Sequence, residues 1–340
     1  MKAVGYRIAG SIERDDALVD IEPPMPVARG HDLLVAVKAV SVNPIDTKIR
    51  KGVAPDDGEW KQLGWDAAGV VAAVGEAVDG FAVGDAVYYA GALDRPGTNA
   101  EYHLVDARIV AHKPATLDFA DAAALPLTAI TAWEALFDRL AVRTPVAGAA
   151  PALLIVGGAG GVGSIAIQIA RAVTDLTVIA TASRRETADW CRALGAHHVV
   201  DHRNPLDAEI AALALDAPPA FVFSTTHTDA HLPALAELIA PQGRLALIDD
   251  PAVLDITPFK RKSVSVHWEF MFTRSLFATA DIAAQGALLA EVARLVDAGA
   301  IRTTRTQTLG PIDAATLKRA HALIESDATR GKIVLEGFGG

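Results

Sequence analysis

The sequence predicts an α/β protein in which a doubly wound parallel sheet is joined to a β-rich, barrel-like unit. Between residues 150 and 250, short apolar runs alternate with segments of helical periodicity. This alternation is typical of a parallel sheet covered by helices. Before residue 120, short runs with β character recur between glycines, which is typical of a compact all-β unit.

The individual elements follow from the same patterns. In the parallel sheet we expect strands at 153–156, 177–183, 197–201, 220–224 and 244–249, and helices at 164–173, 186–194, 206–214 and 230–240. In the β-rich unit we expect strands at 33–42, 69–74, 85–89 and 100–105, then a helical stretch at 121–140 interrupted by Pro126. A helix at 283–298 and strands at 303–308 and 332–335 return the chain to the β unit.

The segment 263–270 alternates strictly between apolar and polar residues. Val264, Val266, Trp268 and Phe270 fall on one face of the expected strand. We expect a last strand at the edge of the sheet that pairs with a second subunit, giving a homodimer.

A glycine-rich loop follows the first strand of the parallel sheet. Gly158, Gly160 and Gly163 fit G-x-G-x-x-G, after the apolar run 153–156 and before an amphipathic helix. In that context the first glycine permits a tight turn, the second admits a pyrophosphate and the third lets the helix pack closely. The free N–H groups of the helix start bind phosphate. The sequence therefore predicts a dinucleotide site at these three glycines, Gly161 and Val162.

The end of the second strand indicates which dinucleotide binds. NAD-binding versions carry a carboxylate there for the ribose 2′-hydroxyl. This chain has Ser183, Arg184 and Arg185 instead, and a hydroxyl with two guanidinium groups suits a 2′-phosphate. Glu186 is an alternative ribose-binding acid, although it lies past the strand tip. We expect NADPH, with Ser183 and Arg184 at its adenosine end.

Composition limits the function classes. A net charge of −10 argues against a general nucleic-acid or acidic-membrane surface. The single cysteine, Cys191, excludes an intramolecular disulfide and lies on the apolar face of a helix. We find neither a secretory signal nor a membrane span, so a cytoplasmic protein with a small-molecule substrate is expected. His227 and His231 have i, i+4 spacing, but without a third ligand or a nearby catalytic motif a metal site there is disfavoured.

Further motifs point to a family. They are residues 41–52 (SVNPIDTKIRKG), 64–69 (GWDAAG), 80–85 (GFAVGD), 123–129 (AALPLTA) and 157–163 (GGAGGVG). With them the chain resembles, over essentially its whole length, the medium-chain dehydrogenase/reductase superfamily and its zinc-free quinone oxidoreductase branch, which includes zeta-crystallin. The resemblance implies a GroES-like β-barrel catalytic domain at 1–125 and 272–340, and a Rossmann NADP-binding domain at 126–271.

The chain departs from the zinc-dependent members of this superfamily. In those members the positions of Asn43 and Trp65 carry a cysteine and a histidine that hold catalytic zinc, whereas this chain has an amide and an indole. Asp46 and Asp66 are possible oxygen ligands, but two carboxylates alone make a poor zinc site. We therefore expect no bound metal.

The expected activity follows from the missing metal. Without zinc, an isolated carbonyl has no Lewis acid to polarise it, whereas quinones and α,β-unsaturated carbonyls spread the developing charge. We expect an NADPH-dependent reductase of such acceptors. By resemblance, Asn43 lies near the nicotinamide and substrate, and Thr128 lies beside the nicotinamide ring. Lys48 stands where relatives often carry a tyrosine, and is either an anion stabiliser or a surface lysine.

The remaining candidates surround this centre. Trp65, Phe270 and Phe272 form either an apolar wall for a flat substrate or ordinary core. His202 falls where relatives place an aromatic side chain near the adenosine. Thr225 and Asp249 follow later strand ends, where such sheets bind ligands.

Alternative functions remain open. A short-chain dehydrogenase would need a Tyr-x-x-x-Lys pair, which the sequence lacks. A zinc-dependent alcohol dehydrogenase lacks its ligands here. A non-catalytic NADPH-binding protein, sensory or structural, differs in that it would bind NADPH without oxidising it.

Overall fold

The computed structural model describes residues 1–339 and divides them into two compact units. One unit contains residues 1–130 together with the described residues from 272 onward, and the other contains residues 131–271.

The secondary-structure elements before residue 134 belong mainly to the β-rich part of the chain. They are β1 (Ala3–Tyr6), β2 (Val19–Ile21), β3 (Asp32–Val42), α1 (Pro44–Gly52), β4 (Lys61–Gln62), β5 (Ala67–Val74), β6 (Ala86–Tyr89), β7 (Tyr102–Asp106), β8 (Val110–His112), α2 (Phe119–Ala123) and α3 (Pro126–Trp133).

The elements after residue 134 alternate between strand and helix and then return to the first unit. They are β9 (Ala150–Val156), α4 (Gly161–Val173), β10 (Thr177–Thr181), α5 (Arg185–Ala193), β11 (His198–Val200), α6 (Leu206–Ala211), β12 (Pro219–Ser224), α7 (Thr228–Leu238), β13 (Arg244–Leu247), β14 (Ser265–Trp268), α8 (Thr273–Leu276), α9 (Ala284–Asp297), β15 (Arg305–Thr308), α10 (Ala314–Glu325) and β16 (Lys332–Glu336).

The long strand β3 organises the first unit. It pairs antiparallel with β5, β7 and β16, so the C-terminal strand lies directly beside it and places Ile333 opposite Val42. The expected return of the C-terminal segment to the β-rich unit is confirmed.

The helices α1 and α10 were not predicted from the sequence. Helix α1 begins because Asn43 is its N-cap, Pro44 occupies its first turn and the Asp46 carboxylate accepts the Asn43 N–H at 2.6 Å.

The second unit is a doubly wound parallel sheet, as the sequence predicts. Its strands lie in the order β11-β10-β9-β12-β13-β14, and each neighbouring pair is parallel. From β9 the chain adds β10 and β11 on one side of the sheet, and it then crosses back to add β12, β13 and β14 on the other side. The switch point of the sheet therefore lies between β9 and β12. Ligands of such sheets bind outside the carboxyl ends of the strands at this switch point.

The segment 263–270 forms a shorter strand than expected. Only Ser265–Trp268 is β14, and it lies at the edge of the parallel sheet beside β13. Trp268 and Phe270 are 55% and 44% exposed, so the apolar face of this segment is not fully covered within the chain.

The core of the second unit consists of aliphatic side chains from the central strands and their helices. Leu154, Val222 and Leu245 are buried on adjacent strands and pack with Leu235 of α7. Cys191 is a buried free thiol, as its position on an apolar helical face predicts. Within the described residues, none of the helices combines the length and hydrophobicity that a membrane crossing requires.

Candidate active site

The glycine loop connects β9 directly to α4. Gly157 has φ +80°, a left-handed conformation that favours glycine, and a Cβ there would lie 2.4 Å from Thr225 Oγ1. Helix α4 begins at Gly161 with Gly160 as its N-cap, three residues earlier than expected. The N–H groups of its first turn therefore start immediately after the loop.

The three motif glycines meet different surroundings. A Cβ on Gly158 would lie 2.7 Å from Ala180 Cβ, and one on Gly163 would lie 2.3 Å from the Gly157 carbonyl oxygen. These two glycines are required by packing. A Cβ on Gly160 would have no neighbour closer than 3.5 Å, so the protein itself does not require glycine there. We call this open position beside Gly160 the cradle, and the close approach of a pyrophosphate would need such a space.

Thr181, at the end of β10, anchors this loop. Its hydroxyl oxygen accepts the Gly157 N–H at 3.0 Å and lies 3.3 Å from His202 Nδ1. The His202 ring in turn makes an edge contact with His231, with 6.0 Å between ring centroids. Burial lowers the pKa of His202, although the Asp201 carboxylate opposes this shift. Sequence reasoning named His202 but missed Thr181, whose only signal was a hydroxyl at a strand end.

The residues after β10 form the start of α5. Arg184 is the N-cap of that helix, and its N–H donates to Thr187 Oγ1 at 3.2 Å. Its side chain is 43% exposed and lies 3.7 Å from the Glu186 carboxylate. Arg184 and Glu186 line an open surface depression that also includes Arg185 and Asp189. Ser183 is half-buried immediately before this helix.

The two residues predicted at later strand ends both make internal contacts. Thr225 donates its hydroxyl to the Val156 carbonyl at 2.8 Å, which joins the ends of β12 and β9. The Asp249 carboxylate accepts the Thr228 N–H at 2.8 Å and the Thr228 hydroxyl at 2.6 Å. Asp249 therefore stabilises the first turn of α7.

A buried polar cluster in the first unit contains Asn43, Asp66 and Lys332. The Lys332 ammonium donates to Asp66 Oδ2 at 3.0 Å, to the Val42 carbonyl at 3.2 Å and to Asn43 Oδ1. Asn43 Nδ2 donates to the same Asp66 oxygen at 2.8 Å, and a second contact of Nδ2 reaches the Ser41 carbonyl. The Asn43 amide is thus turned into the protein on both of its polar atoms.

Burial dominates the protonation of the cluster's carboxyl groups. Burial raises the pKa of Asp46 to about 7, while the Asn43 N–H and the Lys332 charge oppose the shift. Burial also raises the pKa of Asp66, opposed by Lys332, the Leu127 N–H and the Asn43 amide. Lys332 was not named from the sequence, because a single lysine at a strand start gives no signal of a partner far away in the chain.

The other predicted site residues of the first unit have diverse environments. Thr128 is buried in the first turn of α3 and donates its hydroxyl to the Leu125 carbonyl at 3.1 Å. Lys48 is exposed on α1. Trp65 is fully buried, donates its indole N–H to the Ala92 carbonyl at 3.1 Å and packs edge-on against the buried Phe272.

These residues do not fit a zinc site. Such a site needs three protein ligands of the cysteine, histidine or carboxylate kind. The oxygens of Asn43 and Asp66 instead bind an ammonium, and the indole of Trp65 is a donor directed at a carbonyl. Across residues 1–339, no group of three or more histidine, cysteine or acidic residues is arranged to hold a metal ion.

Two family models match the chain. A model described as an alcohol dehydrogenase GroES-like domain matches residues 29–115, and one described as a zinc-binding dehydrogenase matches residues 194–335. A zinc-type alcohol dehydrogenase-like protein of Staphylococcus epidermidis is 36% identical over 337 residues, which are 98% of this chain and 99% of that protein.

Solved structures extend the likeness to the whole fold. A protein from Rhizobium etli CFN 42, provisionally described as a zinc-dependent alcohol dehydrogenase, is 65% identical with a TM-score of 0.98, covering 100% of this chain and 99% of that one. The mycobacterial protein Rv1454c, solved with NADPH, is 26% identical with a TM-score of 0.81, covering 99% of each chain.

A plant relative matches part of the chain. The chloroplastic NADPH-dependent alkenal/one oxidoreductase of Arabidopsis thaliana is 37% identical over 210 residues, covering 59% of this chain and 52% of that protein. The near full-length matches to zinc-type alcohol dehydrogenase-like proteins, with a GroES-like unit and a Rossmann-type sheet, decide the family. The chain is an oxidoreductase of the medium-chain dehydrogenase/reductase superfamily.

Proposed function

We propose that this protein is an NADPH-dependent reductase that transfers hydride to quinones or α,β-unsaturated carbonyls without zinc. The observation that carries the proposal is the Lys332 ammonium bound between Asn43 and Asp66. Because these side chains already bind an internal cation, an unconjugated carbonyl would find no Lewis acid there. A conjugated acceptor needs less stabilisation from the protein, since its own π system delocalises the negative charge that develops during hydride transfer.

The cofactor proposal rests on the glycine loop and the end of β10. Gly160 borders open space at the start of α4, where free N–H groups favour a pyrophosphate. Arg184 is exposed at the strand end where a 2′-phosphate would lie, and it can release Glu186 to hold that phosphate. The plant relative's NADPH-dependent activity and the NADPH complex of the mycobacterial protein support the same cofactor.

In the proposed reaction the cofactor supplies the hydride, and the protein binds and orients the cofactor. NADPH, when bound, supplies the hydride from its nicotinamide, and one proton from water or a nearby donor completes the reduced product. The chain's own part is to hold the phosphates at Gly160, Gly161 and Val162 and to place Thr128 and Asn43 beside the reacting ring. His202, Thr225 and Asp249 would complete the cofactor site. Trp65 and Phe272 are buried against each other, which favours the alternative that they are ordinary core rather than a substrate wall.

We also propose a cytoplasmic homodimer that associates through the segment 263–270. The exposed edge of β14, with Trp268 55% exposed, supports this association. Replacing Trp268 by Glu should convert the dimer into a monomer in light scattering. A monomeric native protein, or a Trp268→Glu dimer, would contradict the proposed interface.

The first experiment measures NADPH oxidation against quinones, enones, aldehydes and alcohols, repeated with NADH and with a zinc chelator. We expect chelator-insensitive reduction of a quinone or enone with a preference for NADPH. Chelator-sensitive aldehyde turnover would favour a zinc-dependent alcohol dehydrogenase. Tight NADPH binding with no turnover would favour a sensor.

A matched pair of arginine variants tests the cofactor assignment. Arg184→Ala should raise the NADPH dissociation constant about tenfold or more, the effect of losing one charge-assisted phosphate contact, and leave NADH binding nearly unchanged. Arg192→Ala is the control, because Arg192 lies in the last turn of the same helix and pairs with Asp189. Equal losses for NADPH and NADH would refute the 2′-phosphate role of Arg184.

A further inference from the structure

The buried lysine of β16, Lys332, has so far been given no part in the reaction itself. Lys332 is 3% exposed, and its ammonium has three oxygen partners, which match its three N–H donors. An ammonium is costly to bury and persists only when it is paired and hydrogen-bonded. The fold places it there through the antiparallel pairing of β16 with β3.

One partner of this ammonium, Asp66, also binds the first turn of α3. Asp66 Oδ2 binds Lys332 at 3.0 Å, while Asp66 Oδ1 accepts the Leu127 N–H at 2.7 Å. Leu127 lies in the first turn of α3, where backbone N–H groups need acceptors outside the helix and a negative charge is stabilised. Thr128 is the next residue along that turn.

The same ammonium also leads to the start of α1. It binds Oδ1 of Asn43, the N-cap of that helix, and the carbonyl of the residue before it, Val42. One positive charge therefore contacts, directly or through one carboxylate, the first turns of two helices. These turns contain both residues that the proposed function places beside the nicotinamide.

We propose that Lys332 is a positioning residue for hydride transfer. Its ammonium is an internal cation that holds the starts of α1 and α3 in one fixed arrangement, so that Asn43 and Thr128 are placed for the reaction. This inference rests on the proposed function for its catalytic consequence, whereas its structural half can be measured without turnover.

The experiment compares Lys332→Met, the double variant Lys332→Met with Asp66→Asn, and Lys318→Met. Lys318 is the control because its ammonium donates to the Asp15 carbonyl at an exposed site. We expect Lys332→Met to lower Tm by roughly 6–20 °C, because it leaves the buried Asp66 carboxylate unpaired. The double variant should recover most of this loss, because neither replacement side chain carries a charge that needs a buried partner, and Lys318→Met should match the native protein.

Hydrogen exchange tests the structural half of the inference. In the double variant, the amides in the first turns of α1 and α3 should exchange about tenfold faster than in the native protein, while those of β9 stay unchanged. Unchanged exchange in both first turns would overturn the inference, whether or not any acceptor is turned over.

Kinetics with the acceptor reduced by the native protein test the catalytic half. We expect kcat of the double variant to fall at least tenfold and KM for NADPH to stay within about twofold, since the cofactor phosphates bind elsewhere. Recovery of kcat together with Tm would mean that the ion pair is only structural and would overturn the positioning role. If the native protein reduces no acceptor, the proposed function fails, and hydrogen exchange alone decides whether Lys332 holds the two helix starts.

Discussion

Replacing Glu269 by Gln should make the protein's stability much less dependent on pH. Glu269 follows β14, its side chain is fully buried, and Arg139 Nε donates to it at 2.8 Å. Burial, reinforced by the charge of the buried Glu134, raises the pKa of Glu269 from 4.5 to about 8. Gln keeps the shape and an acceptor for Arg139 but cannot ionise.

The sign and size of the effect follow from proton binding. The unfolded chain loses the Glu269 proton near its ordinary pKa, whereas the folded chain keeps it until about pH 8. Between these values the folded state binds more protons, so its stability falls as pH rises, by up to about 1.4 kcal/mol per pH unit. From pH 5 to 8 the stability of Glu269→Gln should therefore rise relative to the native protein by on the order of 4 kcal/mol, and stay level above that pH.

The assay is thermal unfolding of both proteins at pH 5, 6, 7 and 8. Each kcal/mol corresponds to a Tm difference of roughly 2–4 °C for a unit of this size. Glu237→Gln is the control, because Glu237 is exposed on α7 and its replacement is the same chemical change outside the buried site. Parallel curves for Glu269→Gln and the native protein would refute the reasoning, because they would mean that Glu269 is ionised in both states.

Three further predictions concern the parallel-sheet unit. Gly160→Ala should fold normally but weaken NADPH binding at least tenfold. Gly163→Ala should instead lose about 1–3 kcal/mol of stability, because its Cβ would lie 2.3 Å from the Gly157 carbonyl oxygen. Equal Tm losses in the two variants would contradict the proposal that Gly160 is kept open for the cofactor. Thr181→Val should lower stability by about 1–3 kcal/mol, because the Gly157 N–H loses its acceptor, and an unchanged unfolding midpoint would argue against this anchor. Cys191 should react with a thiol reagent at pH 8 only after denaturation, because burial raises its pKa to about 12; rapid labelling of the native protein would disprove its inert character.

The local features of the nucleotide-binding unit could be predicted from the sequence because they depend on neighbouring residues. The strand, glycine turn and helix at 153–173 follow from an apolar run, backbone freedom at glycine and 3.6-residue periodicity. Gly160 as the position open to a ligand also follows from the motif. The roles of Asp249 and Thr225 were less accessible, because both side chains bind groups that only the sheet brings near them.

The polar cluster of the first unit was decided by tertiary structure. The residues at 332–335 were expected to form a strand, and Asp66 was considered only as a possible metal ligand. Lys332 meets Asn43 across a sequence separation of 289 residues, because β16 pairs with β3 in a register that places Ile333 opposite Val42. The sequence alone shows that Asn43 and Trp65 stand where, by resemblance, zinc-dependent members carry a cysteine and a histidine, and it therefore predicts that no zinc binds. Only the folded chain shows that an ammonium lies among the remaining oxygens, because long-range strand register is set by the packing of the whole sheet.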